Sequence, residues 1–321
     1  MRVDVHAHAW TDEYLDLLEG YGKTDTADQR GMGAGLGEQE LEARLELMDS
    51  AGVACQVLSA PPQSPHFADP AHAVRAARFV NDQYAEVVAR RPRRFLAFAS
   101  LPFPHTDLAL AELARALDEL GMAGVCVTTS VLGRSLADPA FEPVFAELDH
   151  RGAVLFVHPA GCGAGSAQIT DFRLTWSVGA PVEDTVAVMH LIRAGVPGRF
   201  PRMRILSTHL GGALPMLLQR VDNQYAWEWR TPDLPEKPGA TARRLWYDSV
   251  GHGHGPALWA AVETLGADRI VLGTDFPYED GDLFRTAVAY IESSGLPPQQ
   301  AKRVLDTNAT ALLGLPTATT M

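Results

Sequence analysis

The sequence predicts one large α/β barrel of the (β/α)8 TIM type. Eight short apolar segments occur along the 321 residues, and helical spacing of apolar residues follows each of them. The length also fits, because such a barrel typically needs about 250 residues. No glycine turn of the dinucleotide-binding kind follows any of these segments, which argues against a Rossmann sheet.

The strands are predicted from short runs of apolar residues that stop at proline, glycine or polar residues. Pro61 and Pro102, for example, end the second and third runs. The predicted strands are residues 1–8, 54–59, 95–100, 124–128, 153–158, 204–209, 245–249 and 269–275. Helices are predicted at residues 38–51, 70–91, 106–121, 139–151, 184–195, 212–226 and 256–266, with extra C-terminal helices at 281–294 and 298–313.

Long loops are predicted after strands one, five and six. Residues 11–37 are polar and rich in glycine, and we expect a mobile loop over the end of the first strand. About 25 residues separate the fifth strand from its helix, and residues 227–241 form another irregular segment. No shift in composition marks a domain boundary, so residues 1–321 are predicted to form a single domain.

The net charge and the composition exclude some classes of binding partner. The net charge of −12 argues against nucleic acid or an anionic membrane surface as the main partner. No signal peptide and no run of about 18 apolar residues is visible, so we expect a cytoplasmic protein. The three cysteines have no CxxC spacing; Cys55 and Cys126 lie in predicted strands and are expected to be buried, and Cys162 lies in a loop.

Histidines and an aspartate occur at the carboxyl ends of the predicted strands. His6 and His8 end the first strand, where residues two apart point to the same side. His158 ends the fifth strand, His209 the sixth and Asp275 the eighth. In a barrel all these ends meet at one face, where catalytic groups lie. Imidazoles and a carboxylate at one face predict a metal site.

These motifs resemble the amidohydrolase superfamily. Within it, the chain resembles the branch that contains aminocarboxymuconate-semialdehyde decarboxylase and γ-resorcylate decarboxylase. The resemblance runs over nearly the whole chain. It rests on Val5-His6-Ala7-His8, on Arg44-Leu45-Glu46-Leu47-Met48-Asp49 before Gly52-Val53, on Val157-His158-Pro159, on Val178-Gly179-Ala180-Pro181, on Thr208-His209-Leu210-Gly211-Gly212-Ala213-Leu214-Pro215 and on Gly273-Thr274-Asp275-Phe276-Pro277.

The resemblance implies that His6, His8, His158 and Asp275 bind a divalent metal ion, Zn²⁺ or Mn²⁺. Binuclear members of the superfamily bridge two metals with a carboxylated lysine on strand four. The only lysines here are Lys23, Lys237 and Lys302, and none lies on a predicted strand. One metal ion is therefore expected. By resemblance, His209 is an acid/base beside the metal, and Asp275 is a second candidate for moving a proton.

Substrate-binding residues are predicted from the resemblance and from residue type. Arg44 matches a position that binds a substrate carboxylate in the resembled decarboxylase. Arg220 and Arg230 resemble two other arginines of the family. The one that Arg230 resembles reaches across a dimer interface. Trp10, Trp176 and Phe276, together with Phe172, are aromatic residues in loops at the same face, suited to stack on a flat substrate. The sequence after Pro159 has no bulky aromatic residue and so departs from the family.

The resemblance therefore implies a metal-dependent, non-oxidative decarboxylase of a small unsaturated or aromatic carboxylic acid, acting as a homodimer. The alternative is a hydrolase of a lactone, ester or amide, or a hydratase, in which the metal would activate water. A scaffold protein without turnover is a further alternative. Its mark would be a missing metal ligand, and none is missing from the sequence.

Overall fold

Eight parallel strands form the centre of the protein, in a computed structural model that describes residues 1–227 and 234–315. The barrel strands, β1 to β8, are Val3–His8, Cys55–Ser59, Phe95–Ser100, Gly124–Thr128, Val154–His158, Arg204–Ser207, Trp246–Asp248 and Ile270–Val271. They pair in chain order, and every neighbouring pair is parallel. The predicted (β/α)8 barrel is confirmed.

The barrel closes between the first strand and the segment that follows β8. Val5 N donates to Leu272 O at 2.9 Å, Asp275 N donates to His6 O at 2.8 Å and His8 N donates to Phe276 O at 2.7 Å. These bonds satisfy an edge that would otherwise be open. They also fix Asp275 beside the two histidines of β1.

Helices surround the strands. The α-helices are Asp12–Gly20, Glu38–Ser50, Pro70–Arg90, Thr106–Ala114, Glu142–Arg151, Ala167–Thr170, Ala180–Arg193, Val196–Arg199, Leu214–Tyr225, Pro238–Ala242, Gly255–Leu265, Gly281–Ser293, Pro298–Lys302 and Asn308–Leu313. Single π-helical turns are Arg115–Glu119, Thr175–Gly179 and Arg303–Thr307. Short 3₁₀ turns are Ala27–Gln29, Pro139–Phe141, Gly163–Gly165, Asp171–Arg173, His209–Gly211 and Ala267–Arg269. No described helix is long and apolar enough to span a bilayer.

One prediction about the loop at residues 11–37 was wrong. Its first part is the helix Asp12–Gly20, which buries Tyr14, Leu15 and Leu18 against the core. The Thr11 side chain caps this helix by accepting a hydrogen bond from Tyr14 N at 3.2 Å. The glycines lie C-terminal to this helix, so they do not prevent its apolar stripe from forming.

Two further differences lie at strand ends. A small antiparallel hairpin, Ser130–Val131 with Arg134–Ser135, follows β4 and was not predicted. The last strand is only Ile270–Val271, whereas the sequence predicted residues 269–275. The regular strand ends before Asp275, whose backbone φ of 62° is left-handed and incompatible with a strand, although an isolated parallel bridge joins Ala7 and Phe276 beyond it.

The core has two layers. Inside the barrel, apolar side chains from nearly all strands pack together, among them Val3, Phe98 and Phe156. Ala309 and Leu312 of the last helix join this cluster, so the extra C-terminal helices pack against the barrel interior. Cys55 and Cys126 are buried and unpaired, as predicted, and Cys162 is exposed. The second layer packs between the strands and the surrounding helices.

Candidate metal centre and active site

The carboxyl ends of four barrel strands bring five polar side chains together. His6 and His8 come from β1, His158 from β5, His209 from the turn after β6 and Asp275 from the segment after β8. One nitrogen or oxygen atom from each of His6, His8, His158 and Asp275 lies within 4.8 Å of the others. Asp275 Oδ1 lies 3.1 Å from Nε2 of both His6 and His8. All four side chains are buried.

The pairing of β1 is irregular at the two histidines, and a buried aspartate holds this part of the strand in place. The pairing of β1 with β2 shifts its register between Asp4 and Ala7. Asp4 is fully buried and accepts hydrogen bonds from His6 N at 3.1 Å, from Gln56 Nε2 at 2.8 Å and from Thr274 N and Oγ1 at 3.0 and 2.7 Å. Burial raises the pKa of Asp4 to about 6. This carboxyl group ties β1 and β2 to the segment that carries Asp275.

Asp248, at the end of β7, orients His6. Its Oδ2 accepts a hydrogen bond from His6 Nδ1 at 2.7 Å, and its Oδ1 accepts one from His209 N at 2.9 Å. The close packing needs glycine at position 273, because a Cβ there would lie 2.9 Å from the His6 Cβ and 2.8 Å from the Asp248 Cβ. With Nδ1 carrying the proton, the neutral His6 ring presents an Nε2 lone pair to the cluster.

His8 and His158 are oriented in the same way. The Ser59 hydroxyl donates to Ala7 O at 3.3 Å, so it accepts from His8 Nδ1 at 3.1 Å. His158 Nδ1 donates to the carbonyl oxygen of Pro159 at 2.9 Å. Both rings therefore turn an Nε2 lone pair toward the same point. His6 Nε2 and His8 Nε2 lie 3.1 Å apart, so either a proton on His6 Nε2 or a bound cation is needed to hold the two nitrogens together.

The donor set therefore fits one divalent cation. Three imidazole nitrogens and a carboxylate are ligands that Zn²⁺ and Mn²⁺ both accept. Within residues 1–227 and 234–315, no second group of three or more His, Cys, Asp or Glu side chains converges in this way. Strand β4, where a bridging lysine would lie, contains no lysine.

Without a bound cation, the histidines of the cluster differ in pKa and therefore in charge. Burial lowers the pKa of His6, but the carboxylates of Asp275 and Asp248 outweigh burial and raise it to about 9. Burial lowers the pKa of His8 to about 4 and holds that of His158 well below its usual value. Burial raises the pKa of Asp275, but the nearby imidazoles outweigh it, and the result lies well below the usual range.

His209 lies beside this cluster in a strained turn. His209 and Leu210 have left-handed φ angles of 52° and 56°, which non-glycine residues adopt at functional sites more often than elsewhere. His209 Nδ1 donates to Asp184 Oδ2 at 2.8 Å, and His209 Nε2 lies 3.6 Å from Asp275 Oδ2. Burial lowers the pKa of His209, but Asp184 and Asp275 outweigh it and raise the pKa well above its usual value. The ring can therefore hold a proton next to Asp275.

A large cavity opens over the cluster. Its volume is about 840 Å³, and His158, His209 and Asp275 line its floor. Much of its wall is apolar, with Pro181, Leu210, Met216 and Val250 among the lining residues. No lysine or arginine from residues 1–227 or 234–315 lines it. A pocket of this size and character is typical of a site for a small organic ligand.

The predicted aromatic residues are placed differently from one another. Trp176 lines the cavity. Trp10 is buried, stacks on the His8 ring at a centroid distance of 5.6 Å and donates from Nε1 to Ala60 O at 2.6 Å. Phe276 is buried, and Phe172 is almost fully exposed. Trp10, Phe276 and Phe172 are not among the residues that line the cavity.

Arg44 is also placed away from the cavity. It is buried, and its Nη2 donates to the carbonyl oxygen of His8 at 2.7 Å while its guanidinium lies 4.3 Å from the centroid of the Phe276 ring. It lines a separate small cavity of about 210 Å³. Nη2 therefore holds the chain at His8, whereas Nε and Nη1 have no hydrogen-bond partner among the described residues. The binding of a substrate carboxylate by Arg44 stays a prediction. Arg220 is exposed and does not line the larger cavity. Arg230 lies outside the described residues.

Three buried carboxyl groups that brace the cluster, those of Asp4, Asp184 and Asp248, were not predicted from the sequence. Asp248 ends a predicted strand, so the rule that identified Asp275 could also have identified it. Asp184 lies on the helix Ala180–Arg193 and Asp4 precedes the histidines within β1. Neither position carries a local signal that distinguishes it from an ordinary helical or strand residue.

The fold and this side-chain cluster define a metal-binding α/β barrel with a deep cavity over the metal site. Residues 3–315 match the protein-family profile described as Amidohydrolase. The chain therefore belongs to the amidohydrolase family.

Several proteins similar to this chain are named as decarboxylases. The chain is 31% identical to a 2-amino-3-carboxymuconate-6-semialdehyde decarboxylase of Dictyostelium discoideum, over 88% of this chain and 83% of the relative. It is 31% identical to a gamma-resorcylate decarboxylase of Rhizobium radiobacter, over 75% of this chain and 78% of the relative. Among solved structures, a dihydroxybenzoic acid decarboxylase of Polaromonas sp. JS666, with bound manganese and the inhibitor 2-nitroresorcinol, matches with a TM-score of 0.82 and 27% identity. That match covers 99% of this chain and 98% of that one.

Proposed function

We propose that this protein is a metal-dependent, non-oxidative decarboxylase of a small aromatic or unsaturated carboxylic acid. The observation that carries the proposal is the convergence of three imidazole lone pairs and one carboxylate beside His209, on the floor of a cavity. The decarboxylase names of relatives that match most of the chain support the same reaction class.

In this proposal, His6, His8, His158 and Asp275 hold one divalent cation. When bound, the cation would supply a Lewis acid that binds and polarises oxygen atoms of the substrate. Zn²⁺ and Mn²⁺ both suit the donor set. The manganese in the Polaromonas relative supports Mn²⁺, and the three imidazoles support Zn²⁺ equally well.

The cavity wall would hold the substrate ring. Pro181, Leu210 and Val250 offer apolar surface, and Trp176 offers an aromatic face at the same cavity. Contacts with these side chains would exclude water from the reacting carbon and orient it toward the floor. A planar, unsaturated acid fits this surface better than a flexible polar one.

His209 and Asp275 would supply the proton. Decarboxylation needs one proton at the carbon that bears the carboxyl group; the C–C bond to the carboxyl group then breaks, CO₂ leaves and its bonding electrons restore the conjugated system. His209 holds such a proton, and its Nε2 lies 3.6 Å from Asp275 Oδ2. Asp184 stabilises the protonated ring from the other side. This assigns the proton to the pair, with His209 as its reservoir.

The decisive experiment combines metal analysis with product analysis. Protein purified without chelator is measured for zinc and manganese, and CO₂ release is followed from a panel of carboxylated phenols, pyrimidines and muconates. We expect about one metal ion per chain and CO₂ from at least one phenol or muconate. An enzyme that opens lactones, esters or amides but releases no CO₂ from the panel would contradict the proposal and support the hydrolase.

We propose further that the protein acts in the cytoplasm as a homodimer. Its cysteines are unpaired, as in proteins of reducing compartments. Large apolar side chains are exposed near the cavity, including Phe172 and Met216, and such exposure supports a protein–protein contact. Light scattering should give the mass of two chains. The predicted contribution of Arg230 across the interface would then be tested by replacing it with alanine.

A further inference from the structure

No lysine or arginine is found among the described residues that line the cavity, and Arg230, one of the three predicted arginines, lies outside the described residues. Arg44 binds main chain elsewhere and Arg220 is exposed. A carboxylate ligand in an apolar cavity nevertheless needs positive charge or hydrogen-bond donors. Besides the imidazoles at the floor and the hydroxyl groups of Ser177 and Tyr278, the described lining offers two groups that can carry positive charge, His252 and His254, in the loop after β7.

His252 is held in a defined orientation. It lies between Gly251 and Gly253, and its own backbone is left-handed, with a φ of 47°. Its Nδ1 lies 2.8 Å from Glu279 Oε1. The side chain of His252 is 74% exposed, whereas that of Glu279 is 4% exposed. A buried carboxylate therefore lies against one side of the ring, and His252 lines the cavity.

Glu279 is itself positioned by the segment that carries Asp275. Tyr278 N donates to Asp275 O at 2.9 Å, and Glu279 N donates to the same oxygen at 3.3 Å. A single turn thus places the carboxylate of Asp275 at the cavity floor and that of Glu279 behind His252. The contact with Glu279 raises the pKa of His252 above its usual value. The Nε2 atom of His252 makes no hydrogen bond with any described residue, so it is available to a ligand.

We propose that His252 is the specificity-determining residue of this cavity and binds a second carboxylate group on the substrate, distinct from the one that is lost. The inference rests on the proposed function in taking the cavity as the substrate site. A charge-assisted hydrogen bond from Nε2 to a carboxylate oxygen would select dicarboxylates over acids with a neutral substituent. Glu279 acts through His252 and is a positioning residue.

His254 does not share these features. It is exposed and has neither a carboxylate contact nor another hydrogen bond from its ring to a described residue. Its ring orientation is therefore not fixed by a partner as that of His252 is. The pairing with Glu279, rather than the presence of a histidine at the cavity, is what singles out His252.

The test compares two ligands of nearly the same shape. Isophthalate carries two carboxylates, and 3-carbamoylbenzoate replaces one of them with a neutral amide. Binding of each to manganese-loaded protein is measured by calorimetry for the wild type, His252→Ala, His252→Arg and the control His150→Ala. His150 is an exposed histidine outside the cavity lining. Calorimetry does not depend on turnover, so the result stands even if no decarboxylation is found.

We expect the wild type to prefer isophthalate by about tenfold, as a partly exposed charge-assisted hydrogen bond would give. His252→Ala should remove this preference while binding of 3-carbamoylbenzoate changes less than about twofold. His252→Arg should keep the preference, and His150→Ala should match the wild type. The proposal is overturned if the wild type shows no preference or binds neither ligand, if His252→Ala keeps the preference, or if it weakens both ligands equally. Failure of the CO₂ assay alone would overturn only the proposed function.

Discussion

Two regions of the cavity differ in how they are built. The strand-end cluster consists of His6, His8, His158 and Asp275, all less than 8% exposed. The cavity mouth consists of Trp176, Met216 and His252, of which Met216 is 84% exposed. Each cluster residue except Asp275 lies within a barrel strand, and each has a hydrogen-bond partner that fixes its direction. The mouth residues lie on loops or on a helix surface.

The difference indicates that the strand-end cluster serves metal binding and proton transfer, whereas the cavity mouth serves substrate selection. A buried cluster tied to parallel strands keeps its geometry, and geometry is what metal binding and proton transfer require. A mouth built from exposed side chains tolerates substitution, and loop variation of this kind sets substrate preference in barrels. Substitutions in the cluster should therefore affect metal binding and the chemical step, and substitutions at the mouth should affect substrate binding alone.

The largest effect is expected from His158→Ala. Loss of one ligand opens the metal site, so the metal should be lost on dialysis and kcat should fall by about 1,000-fold or more. Metal analysis and the CO₂ assay measure both effects. His190→Ala, at an exposed helical histidine, is the matched control and should change neither. A variant that keeps stoichiometric metal and activity would show that His158 does not bind the metal.

His209→Asn should separate proton transfer from metal binding. The variant removes the group that shares a proton with Asp275 but no metal ligand, so kcat should fall by about 100- to 10,000-fold while metal content stays at one ion per chain. If the metal is lost as well, His209 is a ligand and its assignment as an acid/base is wrong.

Asp248→Asn should weaken metal binding without abolishing it. The carboxylate orients His6 and favours the ring form with a free Nε2, and loss of such partners typically lowers metal affinity by about 10- to 100-fold. Competition with a chelator measures the affinity. Asp118→Asn, at an aspartate paired with Arg151 on the surface, should have no effect. Equal affinities for Asp248→Asn and the wild type would contradict the role of Asp248.

Metal uptake should depend on pH. His6 in the metal-free chain has a pKa of about 9, so below that pH its proton must leave before the metal binds. His8, with a pKa of about 4, is already neutral, and Asp275 is already ionised. Apparent metal affinity should therefore rise about tenfold per pH unit between about pH 6.5 and 8.5, with one proton released per ion. Calorimetry in buffers of different ionisation enthalpy counts the protons, and release of none would show that His6 is neutral before binding.

The smallest effect is expected at the mouth, from Trp176→Ala. Trp176 contributes one aromatic face to the cavity wall and contacts neither the metal ligands nor His209, so KM should rise about three- to tenfold with kcat and metal content unchanged. Trp227→Ala is the matched control, because Trp227 is exposed but does not line the cavity. A fall in kcat of Trp176→Ala would mean that the mouth takes part in the chemical step.

Much of the fold could be predicted because it depends on local patterns. Short apolar runs with prolines or glycines at their ends identified the strands, and the convergence of strand ends in a barrel placed His158 and Asp275 near His6. The helix Asp12–Gly20 was not predicted, because the glycines that follow it indicated a loop although the apolar residues of the segment have helical spacing. The contact of His6 with Asp248 spans 242 positions of the chain. The strand-end rule could place both side chains at one face, but it could not indicate that they are bonded to each other.

Arg44 is a residue whose type suggests a role but does not determine its contacts. Its residue type and its place in a family motif suggest an anion-binding role, but a guanidinium can also donate to a main-chain carbonyl, as Nη2 does here. Which of the two it meets depends on the packing of the helix Glu38–Ser50 against Phe276 and the end of β1. The residue alone does not contain that information.

The sequence by itself determined the order of strands and helices and the set of side chains at the strand ends, because periodicity and the parallel barrel are local and topological rules. Only the tertiary structure decided which nitrogen of each imidazole faces the cluster, that Asp4, Asp184 and Asp248 brace it, and that His252 is among the residues that line the cavity. Those features depend on hydrogen bonds and burial between distant segments, which exist only once the barrel has closed.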